Sequence, residues 1–355
     1  MTTVGPAHLA PRIGELYTHT AIRGAAALCV VGYHAMLGVT GKGFTDNVIA
    51  NFFLSSFLFV DFFFILSGFI MTENYGAKFH DAGPSLLLVK SYYKKRALKI
   101  LPNYYFWLIV SIALWFLKEI YFEEKIDASR CIYVSVFQHF LLIQNFIGSC
   151  FYFNTPLWSI AVEFLAYLVF PIIIFLRLPA LKLLSVAITM YVFILYNHTT
   201  IDIIEGSLSA IRCFAGFLCG MALAGFQRIN SSGVTHVFLS IVLLASLSRG
   251  LEAISIAIMA AFTLATTQNT GALAVFSRQK IPYGIGRASF SIYLAHIPVS
   301  MVVDPIAYKL EVETGFPFGS DWTYALPTKI GLSVLVGIWA YRQIESRFAD
   351  VAARW

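Results

Sequence analysis

Apolar residues fall into long runs of about 16 to 25 positions divided by short polar connections, not into a two-residue alternation. Backbone amides in hydrocarbon need partners within a helix or a closed barrel, and runs of this length suit helices rather than ten-residue barrel strands. The pattern predicts an all-α integral membrane protein, a single polytopic bundle of about ten transmembrane helices formed by the whole of 1–355. The predicted spans are roughly 21–40, 51–72, 101–117, 157–176, 182–197, 208–226, 235–248, 252–268, 285–307 and 326–344.

Two connections qualify that count. The stretch YVSVFQHFLLIQNF, within the long connection 118–156, mixes apolar and polar residues too evenly for a span and predicts a re-entrant or interfacial helix. If it crossed, every later helix would invert. The spans 235–248 and 252–268 are separated by little more than Ser248 to Leu251, which predicts a tight antiparallel hairpin. Lys90, Lys94, Lys95, Arg96 and Lys99 precede the third predicted span, whereas Glu119, Glu123, Glu124, Glu311 and Glu313 fall in opposite connections. Positive charge collects on the cytoplasmic side of membrane proteins, so both termini are predicted to be cytoplasmic.

Composition narrows the class further. Hydrophobic residues make up 58% of the chain and charged residues 12%, which excludes a water-soluble domain. The net charge of +6 is the positive-inside bias of a membrane protein that contacts lipid, and no nucleic-acid partner is expected from it. The cysteines Cys29, Cys131, Cys150, Cys213 and Cys219 show no CxxC or His spacing, so no metal site is expected. Cys131 and Cys150 share one external segment, where a disulfide and free thiols are both compatible with the spacing. The first residues, with Arg12 in a polar stretch, do not resemble a cleavable signal, and no further soluble domain is expected after the last span.

Ionisable groups inside spans are costly and point to function. Arg23 and His34 lie eleven residues apart in the first span, three turns plus about 20°, so both occupy one helix face about 16 Å apart. A snorkelling anchor for Arg23 and a structural hydrogen bond for His34 are the plainer alternatives. In the second span Asp61 needs a partner or a proton, and Ser67-Gly68 makes either a packing notch or the wall of a substrate channel. Arg96 and Lys99, three apart, suit a polyphosphate or a lipid headgroup equally. Glu163, beside Trp158 and Ser159, either pairs with Arg212 or polarises a hydroxyl. His296, near Pro298, suggests a kinked or hydrogen-bonded helix.

Together these segments resemble the acyltransferase-3 family of membrane O-acyltransferases, especially its exopolysaccharide O-acetyltransferase branch. The resemblance rests on the R-x10-H spacing of Arg23 and His34, FFFILSGF at 62–69, RALKILP at 96–102, LWSIAVEF at 157–164 and SFSIYLAHIPV at 289–299. Phe164 stands where a WSLSVEE-type signature has a second acid, and Lys99 where arginine is frequent. The resemblance implies transfer of an acetyl group from cytoplasmic acetyl-CoA to a hydroxyl of an exopolysaccharide, O-antigen or other lipid-linked saccharide at a bacterial inner membrane. It also implies His34 and Glu163 as catalytic residues, with Arg23, Arg96, Lys99 and Ser67 holding the donor. The competing class is a transporter or flippase of a lipid-linked glycan, in which Arg23, Asp61, Glu163 and Arg212 would line a path.

Overall fold

The computed structural model describes residues 16–40, 45–83, 85–122, 130–147, 153–226, 231–268 and 271–353. Eight helices within it are long and apolar enough to cross a membrane. The first is α1 (Tyr17–Thr40). The second combines α2 (Val48–Leu54), α3 (Phe59–Met71), a π-helical turn at Thr72–Gly76 and α4 (Ala77–Ala82). Next come α5 (Leu86–Phe122), the short α6 (Arg130–Phe140), α7 (Leu157–Phe175), α8 (Ala180–Asn197) and α9 (Gly206–Ala224). The hairpin α10 (Gly233–Ser248) and α11 (Glu252–Ala265) is formed as expected, from helices of 16 and 14 residues. At about 24 and 21 Å these are shorter than a hydrocarbon core of roughly 30 Å. The chain then runs through α12 (Gly271–Ser277), α13 (Lys280–Arg287), α14 (Ser289–Thr314), α15 (Trp322–Ala340), a second π-helical turn at Tyr341–Glu345 and α16 (Ser346–Ala353).

The third span departs from its predicted limits. It begins at Leu86, not 101, so the basic stretch Lys94–Lys99 lies inside a 37-residue helix rather than in a loop. Lysine and arginine are strong helix formers, and the apolar Leu86–Val89 ahead of them extends the same helix. Two tyrosine pairs dock this helix. Tyr92 and Tyr93 donate to the carbonyls of Tyr167 (3.1 Å) and Leu168 (2.7 Å) on α7. Tyr104 and Tyr105 donate to those of His139 (2.8 Å) and Phe140 (2.9 Å) on α6. Pro171 explains one choice: with no N–H to offer the carbonyl four residues back, it leaves Tyr167 O for the Tyr92 hydroxyl.

The role of α6 follows from direction. Gln144 bridges Tyr104 (3.4 Å) and the Leu157 carbonyl (3.2 Å) at one end of the α5–α7 contact, and Tyr92 meets Tyr167 at the other, so α5 and α7 are antiparallel. Antiparallel neighbours are consecutive passes. A crossing by α6 would have made them parallel, and its 11 residues reach only about 16 Å. This direction fits a segment that does not cross, whether re-entrant or interfacial. Cys150 and the Cys131 side chain lie outside the described residues, whereas Cys29, Cys213 and Cys219 are free thiols.

Helices α3 and α9 form the tightest pair. A methyl group on Gly68 would run into the Phe217 carbonyl, and one on Gly220 into the Ile65 carbonyl. The small residues of Gly216-x-x-x-Gly220 thus admit backbone-to-backbone contact, as membrane helices use where hydrophobic driving force is absent. Gly220→Ala is expected to cost about 1–3 kcal/mol through overpacking, read as a lowered melting temperature in lipid nanodiscs. An unchanged transition would show that the two helices part without penalty.

The Asp61 carboxylate receives the Arg212 guanidinium across this seam at 2.7 Å, with both side chains at 0% exposure. Arg212 also faces Asp202 at 3.7 Å and donates to the carbonyls of Ile203 (3.3 Å) and Phe57 (3.4 Å), and the Tyr191 hydroxyl donates to Asp61 at 3.2 Å. The expected alternative for Arg212, an ion pair with Glu163, is not formed. Asp61 takes Arg212 because α3 packs directly on α9, while Glu163 is engaged by the Ser67 and Tyr167 hydroxyls.

Candidate functional site

One cavity gathers most of the residues singled out in the sequence: Arg23, Ser67, Arg96, Lys99 and Glu163, walled by Phe63, Tyr167 and Tyr293. Five helices supply them. Arg23 is carried into place where α1 crosses α13 with glycine against glycine: a methyl on Gly24 would meet the backbone of Gly286, and one on Gly286 the Thr20 carbonyl. At that crossing the Arg23 Nη2 donates to Ser289 Oγ at 3.2 Å. Arg96 donates to the Tyr75 hydroxyl at 3.1 Å, with its guanidinium 5.3 Å from that ring's centre. Its Nε has no hydrogen-bond partner among the described residues, and Lys99 presents its side chain to the same space.

Two carboxylates lie near these cations, Glu163 in the cavity wall and Glu345 behind α14. Glu163 accepts from Ser67 Oγ and, at 2.6 Å, from the Tyr167 hydroxyl, which is itself 2.9 Å from Ser67. Glu345, buried on the second π-helical turn, accepts from Ser291 Oγ at 2.7 Å, and Ser291 accepts from Asn103 at 3.0 Å. Glu345 acts electrostatically on both Lys99 and Arg23. Arg23 and Glu345 bond Ser289 and Ser291, neighbours on α14, so the first part of α1 and the turn after α15 lie at one end of the bundle, as an even number of crossings requires. The sequence offered no sign of Glu345, since a π-turn is a local backbone event without a clear compositional signature.

His34 lies outside this group, toward the other end of α1. Its ring is 4.9 Å from that of His296 and 4.9 Å from that of Tyr33, whose hydroxyl donates to Asp202 at 2.9 Å. Tyr293 links the two regions: it lines the cavity, touches Ser159 Oγ at 2.8 Å, and its ring lies 5.8 Å from His296. Helix α14 is pinned here by an outside donor. Pro298 cannot donate to Leu294, and the Asn154 side chain supplies the missing bond to that carbonyl at 3.0 Å. The Arg23–Ser289 and His34–His296 contacts run in the same direction, so α1 and α14 are parallel. An odd pass beside another odd pass fits α6 not crossing.

Comparison with known families supplies the class. The acyltransferase-3 family model, described as an acyltransferase domain, matches residues 20–342. The chain belongs to the acyltransferase-3 family. Neither the curated proteins nor the solved structures yield a match. This member is accordingly a multi-pass membrane acyltransferase, with its cationic cavity and its histidine pair both inside the matched range.

Within this acyltransferase the structure brings Arg23, Arg96, Lys99, Ser67 and Glu163 together, while the cavity lining does not include His34. Glu163 is thus a member of the cation-bearing end rather than a neighbour of the histidine. His296, read from the sequence as a kink or structural hydrogen bond, turns out to be His34's ring partner. A helical signal for this was present. Ser289 and His296 are seven apart on α14, one face two turns long, as Arg23 and His34 share one face of α1. Among the described residues no group of three or more His, Cys, Asp or Glu side chains is placed to hold a metal ion.

Proposed function

We propose that this acyltransferase moves an acetyl group from cytoplasmic acetyl-CoA to a hydroxyl of an exopolysaccharide, O-antigen or other lipid-linked glycan at a bacterial inner membrane. The observation that carries this reading is the pairing of a cation-rich cavity at one end of α1 with a histidine at the other. Phosphates bind charged donors, and the forked guanidiniums of Arg23 and Arg96 with the compact ammonium of Lys99 supply them at the end that the positive-inside bias assigns to the cytoplasm. The acyl-pantetheine arm would extend from the phosphates past Tyr293, since about 16 Å of helix separates Arg23 from His34. His34 serves as the base that removes the acceptor's hydroxyl proton while the oxygen attacks the thioester carbonyl. Glu163, held by Ser67 and Tyr167, keeps the cations apart and oriented around the donor. The ion pair of Asp61 with Arg212 favours transfer over transport, because these charges satisfy each other across a packed seam instead of lining a path.

Lys99→Met and Arg96→Met test the donor assignment. Each removes one charge-assisted contact worth about 1.5–3 kcal/mol, so the KM for acetyl-CoA should rise roughly 10- to 100-fold. The rate at saturation should change much less, because these contacts persist from ground state to transition state. Steady-state CoA release in lipid nanodiscs measures both. An unaltered KM in both variants would remove the phosphate-binding role.

A further inference from the structure

The histidine beside His34 is held in a defined protonation pattern. His296 Nδ1 lies 2.6 Å from the Tyr293 carbonyl, and a carbonyl only accepts, so the ring proton sits on Nδ1 and Nε2 carries a lone pair. That Nε2 is buried, the residue being 1% exposed, and it has no hydrogen-bond partner among the described residues. Such an orphan acceptor is uncommon in a protein interior and calls for a donor. The nearest ring with ionisable nitrogens is His34, at 4.9 Å between centres with planes inclined by 38°. Two imidazoles joined by one N–H···N bond have centres about 5 Å apart, from a bond of ~2.9 Å and two ring radii of about 1.1 Å. The separation of the two rings is thus that of a hydrogen-bonded imidazole pair.

We propose that His296 is the positioning residue of the acyl-transfer site: its Nε2 receives a ring N–H of His34 and so fixes which His34 nitrogen faces the acceptor. This rests on the role given to His34 above. As the acceptor oxygen forms its bond to the acyl carbon and the thioester C–S bond breaks, the acceptor proton passes to the free nitrogen of His34. The second N–H of the resulting imidazolium stays bonded to His296. The transferred proton then leaves to the CoA thiolate, which returns His34 to its starting tautomer. A neutral imidazole thus occupies the place that a carboxylate fills in base–orienter pairs elsewhere. Because His296 Nδ1–H is committed to the Tyr293 carbonyl, and α14 is fixed nearby by Asn154, the orienting lone pair does not wander.

The test uses the full chain in lipid nanodiscs, with acetyl-CoA and an extracted membrane glycan fraction. His296→Leu should lower the transfer rate at saturation by about 100-fold with an unchanged KM for acetyl-CoA, whereas His296→Gln, whose amide oxygen reaches the Nε2 position, should stay within about 10-fold of wild type. A ¹⁵N-histidine spectrum, with His34 assigned by its loss in His34→Ala, should show one His34 tautomer in wild type and in His296→Gln and a mixture in His296→Leu. If the leucine variant does not fold, His296→Asn, whose amide stops one atom short, should mix the tautomers where glutamine does not. A His296→Leu rate within threefold of wild type, or a His34 spectrum indifferent to position 296, overturns the proposal. If wild type consumes no acetyl-CoA, the acyl-transfer reading fails by itself, and the spectrum alone decides whether the histidine pair exists.

Discussion

His34→Ala is expected to lower the rate of acyl transfer about 1,000-fold, within the range lost when a general base is removed, while the protein remains folded. The separation of rate from fold follows from position. His34 is half-buried with its ring beside those of His296 and Tyr33, and alanine, the strongest helix former, leaves the helix intact. Acetyl-CoA binding should persist, because the cavity with Arg23, Arg96 and Lys99 does not include this side chain. Titration of acetyl-CoA into His34→Ala, beside CoA release from the same preparation, checks both halves. Turnover within threefold of wild type would remove the base from the mechanism.

Arg212→Met acts the other way, on stability first. It strands the Asp61 carboxylate among α3, α8 and α9 with only the Tyr191 hydroxyl donating to it. Breaking a buried pair from one side typically costs about 3–5 kcal/mol, a large share of a total stability of about 5–15 kcal/mol. The same substitution also frees the carbonyls of Ile203 and Phe57 and the rings of Trp158 and Phe57 that flank the guanidinium. Asp61→Leu combined with Arg212→Met should recover most of the loss, since the cost lies in the unpaired charge more than in the missing attraction. Thermal melts of the single and double variants in lipid separate these contributions. A single variant as stable as wild type would show that the pair contributes no net stability.

Most of the bundle was legible because hydrocarbon enforces it: each predicted span coincides with a helix, and the mixed polarity of YVSVFQHFLLIQNF marked α6 correctly as a segment that does not cross. The start of α5 was not legible. Charge argued for a loop through Lys90–Lys99, whereas propensity argued for helix, and the cavity beside α7 let the cations stay solvated inside a continuous helix. The face shared by Arg23 and His34 emerged from spacing alone. Which residues oppose that face is a question of helix–helix register, and so Ser289, His296 and Glu345 became visible only in three dimensions. The choice of Arg212 between Asp61 and Glu163 was settled in the same way, by the glycine contacts that press α3 onto α9.

The central claim is that one chain takes an acyl group from CoA and gives it to a hydroxyl. The most direct test supplies purified wild-type protein in lipid nanodiscs with acetyl-CoA labelled in the acetyl group and an extracted membrane glycan fraction, and follows free CoA and glycan-bound label together. The expected result is release of CoA matched by label in alkali-labile ester linkage to glycan, both abolished in His34→Ala. Protein that binds acetyl-CoA yet releases no CoA under any of these glycans, while moving a lipid-linked saccharide between leaflets, would contradict the account.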